Sequence, residues 1–266
     1  MHPIMFIGSS GAHLDIATAL AEELSSDVDA RVWDRGVFGL ASSTIDDLCA
    51  IASQADLAAF IFGADDVALL KDNLHMVTRD NVVFELGMFI GALDRARSFF
   101  VIPRDSSALH VPTDLAGVTA AHFDPALKTT DSRASVRGAG NAIRSVIVKL
   151  RAMHALSGQW IHRWTAPDGG EHQCAMDLLQ LGKFLRAAYK WGGLNFELRG
   201  KIDGRNLVTA QYRCLNGDHG YSGTLHMVLN PSGRAASGQW AGWSFNTSPS
   251  GVNTGACNWE RVADRG

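Results

Sequence analysis

At Ser157 the hydrophobic period of the chain changes, and a single regular layer of structure cannot absorb both halves. Upstream, short apolar runs alternate with stretches of helical period; downstream, residues alternate at a period of two between turn signals. Residues 3–7 form an apolar strand and Gly8-Ser9-Ser10-Gly11 a turn, after which Leu14, Ala17, Leu20, Ala21 and Leu24 share one helical face. Residues 31–33 are a second strand, and Leu48, Ile51, Ala52 and Ala55 line a second helix. Residues 57–62 are apolar throughout, as in a strand covered on both faces. The segment around Glu85 is long enough for a helix, and residues 98–102 are another buried strand, ended by Pro103. This order of elements predicts an α/β domain with a parallel sheet.

Residues 134–156 read as one connecting helix, with Val136, Ile143, Val146, Ile147, Leu150 and Met153 on its stripe. Beyond it, Asp168-Gly169-Gly170, Asp203-Gly204, Asn216-Gly217-Asp218 and Pro231-Ser232-Gly233 separate alternating segments at 159–165, 172–190, 194–202, 206–214, 221–229, 236–245 and 254–262. Seven or eight antiparallel strands in so short a stretch predict a small barrel or sandwich. The expected division is therefore 1–133, 134–156 and 157–266. Ser157-Gly158-Gln159-Trp160 recurs as Ser237-Gly238-Gln239-Trp240, which reads as two equivalent strand starts. Trp160, Trp164, Trp191, Trp240, Trp243 and Trp259 all lie in this half; most are expected to fill the core, the rest to line a cavity.

The 266 residues carry a net charge of -3 with no basic tail or stripe, which argues against binding nucleic acid through its phosphates. Cys49, Cys174, Cys214 and Cys257 have no paired spacing, so buried reduced thiols are expected rather than a disulfide frame or a zinc site. The histidines show no metal-ligand spacing either. The start lacks the basic leader and apolar core of a signal peptide, and no apolar run approaches the roughly 20 residues that span a bilayer. A soluble cytoplasmic protein is expected.

Glu85 stands alone in the apolar run 82–93. A buried carboxylate costs several kcal/mol or more unless something pairs with it or uses it. Arg79, Asp80 and Asn81, just upstream, would supply the polar side of such a pocket, with Arg79 on a pyrophosphate or on Glu85; helix capping is the alternative for Asp80 and Asn81. An ion pair of Glu85 with Arg79 or Arg97 is the structural alternative. Gly8, Ser9 and Ser10 lie between first strand and first helix, where free N–H groups meet phosphate. Asp65 and Asp66 follow a buried strand, at the rim of the same site or, for Asp65, as a helix cap.

These pieces occur in a recognisable order. Residues 6–10, Trp33-Asp34-Arg35-Gly36-Val37-Phe38, Ala64-Asp65-Asp66, residues 79–87 and Asp114-Leu115-Ala116-Gly117-Val118-Thr119 resemble the bacterial TIR-like nucleotide-binding family, notably TIR domains fused to cyclic-dinucleotide sensors in antiphage systems. The resemblance implies a flavodoxin-like fold and cleavage of NAD⁺ to nicotinamide and an ADP-ribose product. NAD⁺ is then a substrate, and no cofactor is needed. It implies that Glu85 is the catalytic glutamate. It also places Trp33 and Phe38 on a loop that gates the pocket and meets a neighbouring TIR copy, so a homo-oligomer through TIR domains is expected.

The second half then reads as a sensor, its paired Gly-x-Trp strands similar to the lipocalin-like barrels of other cyclic-nucleotide-responsive effectors. A cyclic mono- or dinucleotide is the expected activator. Trp164, Tyr189, Trp191, Tyr212 and Trp243 would stack its bases, and Arg199 and Arg213 would meet its phosphates. A filled barrel serving only assembly is the alternative. For the whole chain the alternatives are a non-catalytic TIR scaffold and a nucleoside deoxyribosyltransferase-like enzyme.

Overall fold

The computed structural model describes residues 1–33, 44–105, 109–115, 117–152, 156–204, 206–217, 220–243 and 252–263. They fall into two compact units, His2–Val146 and Ile147–Gly266.

The first unit contains, in chain order, β1 (Ile4–Ser9), α1 (Leu14–Glu23), β2 (Asp29–Val32), α2 (Thr44–Gln54), β3 (Leu57–Ile61), β4 (Asp66–Leu70), β5 (Asn73–Val77), α3 (Asp80–Leu93), β6 (Ser98–Pro103), β7 (Leu109–His110) and β8 (Thr119–Phe123). The helix α4 (Ser132–Ala152) runs on past the boundary into the second unit. The main sheet has the order β2-β1-β3-β6-β8 with every pair parallel, the flavodoxin-like arrangement. β3 is buried at every residue, which is why it reads as an unbroken apolar run. Phe6, Ala58, Phe60, Phe62 and Phe100 face one side of the sheet, where they meet Leu48 and Ala52 of α2 and Leu86 and Phe89 of α3. Phe89 stacks on Phe6 at 4.6 Å and meets Phe60 edge-on at 5.3 Å. Burying one such ring stabilises the fold by roughly 1.5–3 kcal/mol. Arg144 joins α4 to the end of α1 through Asp27 at 2.9 Å and Glu23 at 3.5 Å.

Residues 66–77 form a hairpin, which pairs with β7 in a separate three-stranded sheet. Asp65 therefore precedes a strand and does not cap a helix. The turn uses Lys71 and Asp72 at φ 47° and 64°. A turn of this hand normally calls for Gly or Asn, so the residue types gave no signal for it.

The second unit is a closed barrel of β9 (Gly158–Thr165), β10 (Glu171–Leu181), β11 (Phe184–Trp191), β12 (Leu194–Ile202), β13 (Leu207–Cys214), β14 (Ser222–Leu229), β15 (Ala235–Trp243) and β16 (Asn253–Arg261). Each strand pairs antiparallel with the next, and β16 closes on β9, so no edge is left to aggregate. The expected segment 172–190 is two strands, parted by a tight turn at Gly182, φ 60°. The two Ser-Gly-Gln-Trp copies are not equivalent strand starts. The first opens β9, whereas Ser237 lies inside β15 opposite Val228 and Asn258.

One end of the barrel is a packed core. Trp160 and Trp259 are fully buried there among Leu178, Leu198, Val208 and Met227. Trp160 Nε1 donates to the Leu156 carbonyl at 2.9 Å, so the indole loses no hydrogen bond on burial. Among the described residues no helix is long and apolar enough to cross a membrane. Among the same residues no cluster of three or more His, Cys, Asp or Glu side chains is placed to hold a metal. Cys257 is buried, Cys174 and Cys214 are half-buried and Cys49 is exposed, so the expectation of four buried thiols holds in full for Cys257 alone.

Candidate functional site

Two places in the chain gather polar or aromatic side chains of the kind a ligand uses, one in each unit. In the first unit, α3 starts at the carboxyl end of the sheet and runs back along it, because it joins parallel strands. Its buried face is Val82, Glu85, Leu86, Phe89 and Leu93, the spacing of one side of a helix. Glu85 is 4% exposed, so its carboxylate is turned to the sheet and not to bulk water. Phe89 marks its level, since that ring lies on Phe6 of β1. One helical turn back from Phe89 is about 6 Å, and two residues forward from Phe6 are about 6.6 Å. Glu85 thus stands near the level of Gly8, on the face Gly8 shares with Phe6. A Cβ on Gly8 would come within 2.7 Å of the Phe60 ring, so only glycine fits.

The order of the sheet reverses between β1 and β3, and ligands of open α/β sheets bind outside the strand ends at such a point. Ser9, Ser10 and Asp65 are there. Ser10 Oγ donates to Asp65 Oδ1 at 3.0 Å, and His13 Nδ1 lies 3.1 Å from the same oxygen. The Ser9 hydroxyl and Asp65 Oδ2 are buried and make no hydrogen bond with the described residues. Buried polar atoms are nearly always satisfied, so two together at a switch point are what a ligand's hydroxyls would complete. His13 was missed in the sequence. Its signal was its place just after the glycine–serine turn, and Gly63 leaves room for its ring, which a Cβ there would strike.

The remaining expected residues divide. Arg79 sits at the start of α3, and its Nε bonds Asp66 Oδ2 at 3.4 Å, both groups being well exposed. Asp80 Oδ1 accepts from the Asn81 backbone N–H at 2.8 Å, a local bond within the first turn. Trp33 is buried in the core against Phe6. Phe38 and Asp34 lie outside the described residues. The Arg97 guanidinium bonds the carbonyls of Leu93 and Asp56.

In the barrel, the half away from Trp160 is open. A cavity of about 350 Å³ is lined by His162, Trp164, Tyr189, Trp191, Tyr212 and Trp240, with Trp243, Asp168 and Asn253 also along it. The expectation that most tryptophans fill the core is therefore reversed: Trp160 and Trp259 do, while four line this cup. Two stacked pairs form its wall, His162 on Trp164 at 4.9 Å and Tyr189 on Phe196 at 5.0 Å. Glycine makes the space, for Tyr212 lies across Gly223 and Gly242, where a Cβ would run into its hydroxyl.

His162 is 6% exposed, and Trp259 Nε1 donates to its Nδ1 at 3.0 Å. An indole N–H only donates, so Nδ1 is an acceptor and the ring proton sits on Nε2. Burial pushes the His162 pKa down to about 4, keeping the ring neutral at pH 7. Burial also raises Tyr212 to about 12, Cys174 to about 11 and Cys257 to about 12, and raises Tyr189 further still. The inner wall carries no charge from any of these. Arg199 and Arg213 do not reach the cup. Strand alternation puts them on the outer face, where both bind Glu197, at 3.1 and 3.0 Å. They pull the Glu197 pKa down against the desolvation that would raise it.

Residues 5–125 match the family model of the TIR domain of CAP12/Pycsar effector proteins. The N-terminal unit is a TIR domain of this type. The Pycsar effector protein PaPycTIR of Pseudomonas aeruginosa is 33% identical over 147 residues, 55% of this chain and 47% of that one. BcPycTIR of Burkholderia cepacia is 36% identical over the same length, 48% of its own chain. CD-NTase-associated protein 12 of Lachnospiraceae bacterium (strain RUG226) is 29% identical over 147 residues, 44% of its chain. The chain spans about half the length of the curated relatives it matches, and the TIR model stops at residue 125, short of the barrel. Glu85, Asp65, Ser9 and Ser10 all fall within the matched TIR domain.

Proposed function

We propose that this chain is an effector of bacterial antiphage defence that hydrolyses NAD⁺ at the carboxyl end of the TIR sheet, with the barrel taking the controlling ligand. The observation that carries this is Glu85, a carboxylate buried on the sheet-facing side of α3 inside the matched TIR domain.

In NAD⁺ the bond from ribose C1′ to the pyridinium nitrogen breaks, and its electron pair neutralises that nitrogen. Nicotinamide leaves uncharged, so no strong general acid is required. The positive charge passes to C1′ and the ring oxygen. A fixed anion beside them stabilises that charge more in the transition state than in the ground state. Water then bonds to C1′ and gives up a proton, which Glu85 would accept, leaving ADP-ribose. Asp65 Oδ2 would accept from a ribose hydroxyl, and the Ser9 hydroxyl would donate to a ribose or phosphate oxygen. Assembly of TIR domains on ligand binding would complete the pocket, which would keep an NAD⁺-consuming enzyme silent until signalled.

Incubation of the purified chain with NAD⁺, with and without a panel of cyclic mono- and dinucleotides, tests the proposal by following nicotinamide. Ligand-dependent release supports it. Intact NAD⁺ with assembly of the chain would assign a scaffold instead, and exchange of bases between deoxynucleosides would assign a transferase.

A further inference from the structure

We infer that the barrel cup recognises one flat, uncharged heteroaromatic ring of nucleobase size, and that it reads the ring and not a phosphate. The inference rests on the barrel being the ligand-taking unit, and is independent of NAD⁺ cleavage at Glu85.

Size comes first. At about 350 Å³ the cavity is near the small end of the roughly 300–1,000 Å³ of ligand sites, enough for one ring system with its sugar. Shape comes next. Trp164, Trp191 and Tyr189 present ring faces and edges within 5.5 Å of their neighbours around the opening, and flat rings slot between such surfaces. Polarity fixes the edge. His162 Nε2 carries a proton, as its bond with Trp259 requires, and makes no hydrogen bond with the described residues. The hydroxyls of Tyr189 and Tyr212 make none either. By contrast Trp240 Nε1 is already committed to the Thr165 carbonyl at 3.1 Å. A fixed N–H donor beside two adaptable hydroxyls suits a ring that offers a carbonyl or ring nitrogen.

Charge excludes the phosphate. Among the described residues no Lys or Arg lines the cup. The described residues of the connections at its open end, 166–170, 192–193, 215–217 and 220–221, contain none either, but include Asp168. Among the described residues the basic side chains of the barrel turns, Lys183 and Arg234, belong to the connections of the opposite end. A phosphate drawn into the cup would be buried without a counter-charge, which is strongly unfavourable. An organic cation, which aromatic faces also attract, would meet the positive end of the His162 N–H.

The test is calorimetry and tryptophan fluorescence on the full chain carrying Glu85→Gln, which separates binding from turnover. The ligands are adenosine, guanosine, cytidine and uridine, each beside its 3′,5′-cyclic monophosphate, with N-methylnicotinamide as a flat cation and inorganic phosphate as a bare anion. The expected result is that at least one nucleoside binds about as tightly as its cyclic monophosphate. Its Kd should change less than about two-fold between about 50 and 500 mM salt. Trp191→Ala should weaken it roughly 5- to 100-fold. The conservative Tyr189→Phe, which keeps the ring, should weaken it about three- to ten-fold. Arg213→Ala should leave it unchanged. Binding only of phosphate-bearing ligands, a steep loss with salt, binding only of the cation, or no nucleoside binding would each overturn the inference. Nucleoside binding by a chain whose wild type never releases nicotinamide would sink the proposed activity alone.

Discussion

Lowering the pH should weaken the barrel through His162 by a predictable amount. In the folded chain Nδ1 accepts from Trp259, and the pKa is about 4 against 6.5 for the free side chain. The shift is downward, so the stability this group preserves is fully present above pH 6.5 and is lost as pH falls toward 4. Between those values the unfolded chain binds a proton that the folded chain refuses. From pH 7.5 to pH 5 the two pKa values give a loss of about 2 kcal/mol, rising to about 3 kcal/mol below pH 4. Urea unfolding followed by tryptophan fluorescence, which reports mainly on the barrel, measures the loss. His162→Gln is the control, because an amide oxygen can replace Nδ1 as acceptor without titrating. The wild type should lose about 2 kcal/mol more than this variant over that interval. Equal losses in both proteins would show that His162 is not held neutral and would refute the tautomer assigned to it.

Four further outcomes follow from the geometry. Gly242→Ala should destabilise the barrel by about 1–3 kcal/mol in denaturant unfolding, because its methyl group strikes the Tyr212 hydroxyl, and a second change, Tyr212→Ala, should recover part of that loss. Phe89→Ala should cost about 3–5 kcal/mol in thermal or urea unfolding of the TIR unit, since its ring fills the space between Phe6 and Phe60. Arg144→Ala should change stability by no more than about 1 kcal/mol, as its pairs with Asp27 and Glu23 are partly exposed and screened. Asp65→Asn should lower kcat/KM for NAD⁺ by roughly ten-fold or more while leaving Tm near that of the wild type, since it weakens the Ser10 and His13 contacts without opening a cavity.

The fold was legible wherever one physical signal dominated. β3 and β6 are apolar on both sides, and their burial follows from helices on both faces of the sheet. The barrel strands were legible through alternation and glycine turns. What escaped were elements whose turns lack the usual residues. The β4–β5 hairpin turns on Lys71 and Asp72. The β10–β11 turn at Gly182 lies between buried leucines, Leu178, Leu179 and Leu181 before it and Leu185 after it, so the two strands read as one. At the candidate sites, Glu85 stood out because a lone carboxylate in an apolar helix is costly. Arg199 and Arg213 misled because alternation alone says which residues share a face, not which face is inside. Trp33 misled because an aromatic at a strand end serves a core or a pocket equally well. His162 passed for a structural residue because its role depends on Trp259, almost a hundred positions away.

Nicotinamide release from NAD⁺, compared between the ligand-activated wild-type chain and Glu85→Gln, tests the central claim most directly. The amide keeps the shape of the side chain and removes its charge, so turnover should fall by about 100-fold or more with the fold and the barrel ligand's affinity unchanged. Turnover by Glu85→Gln within a few-fold of the wild type would contradict it.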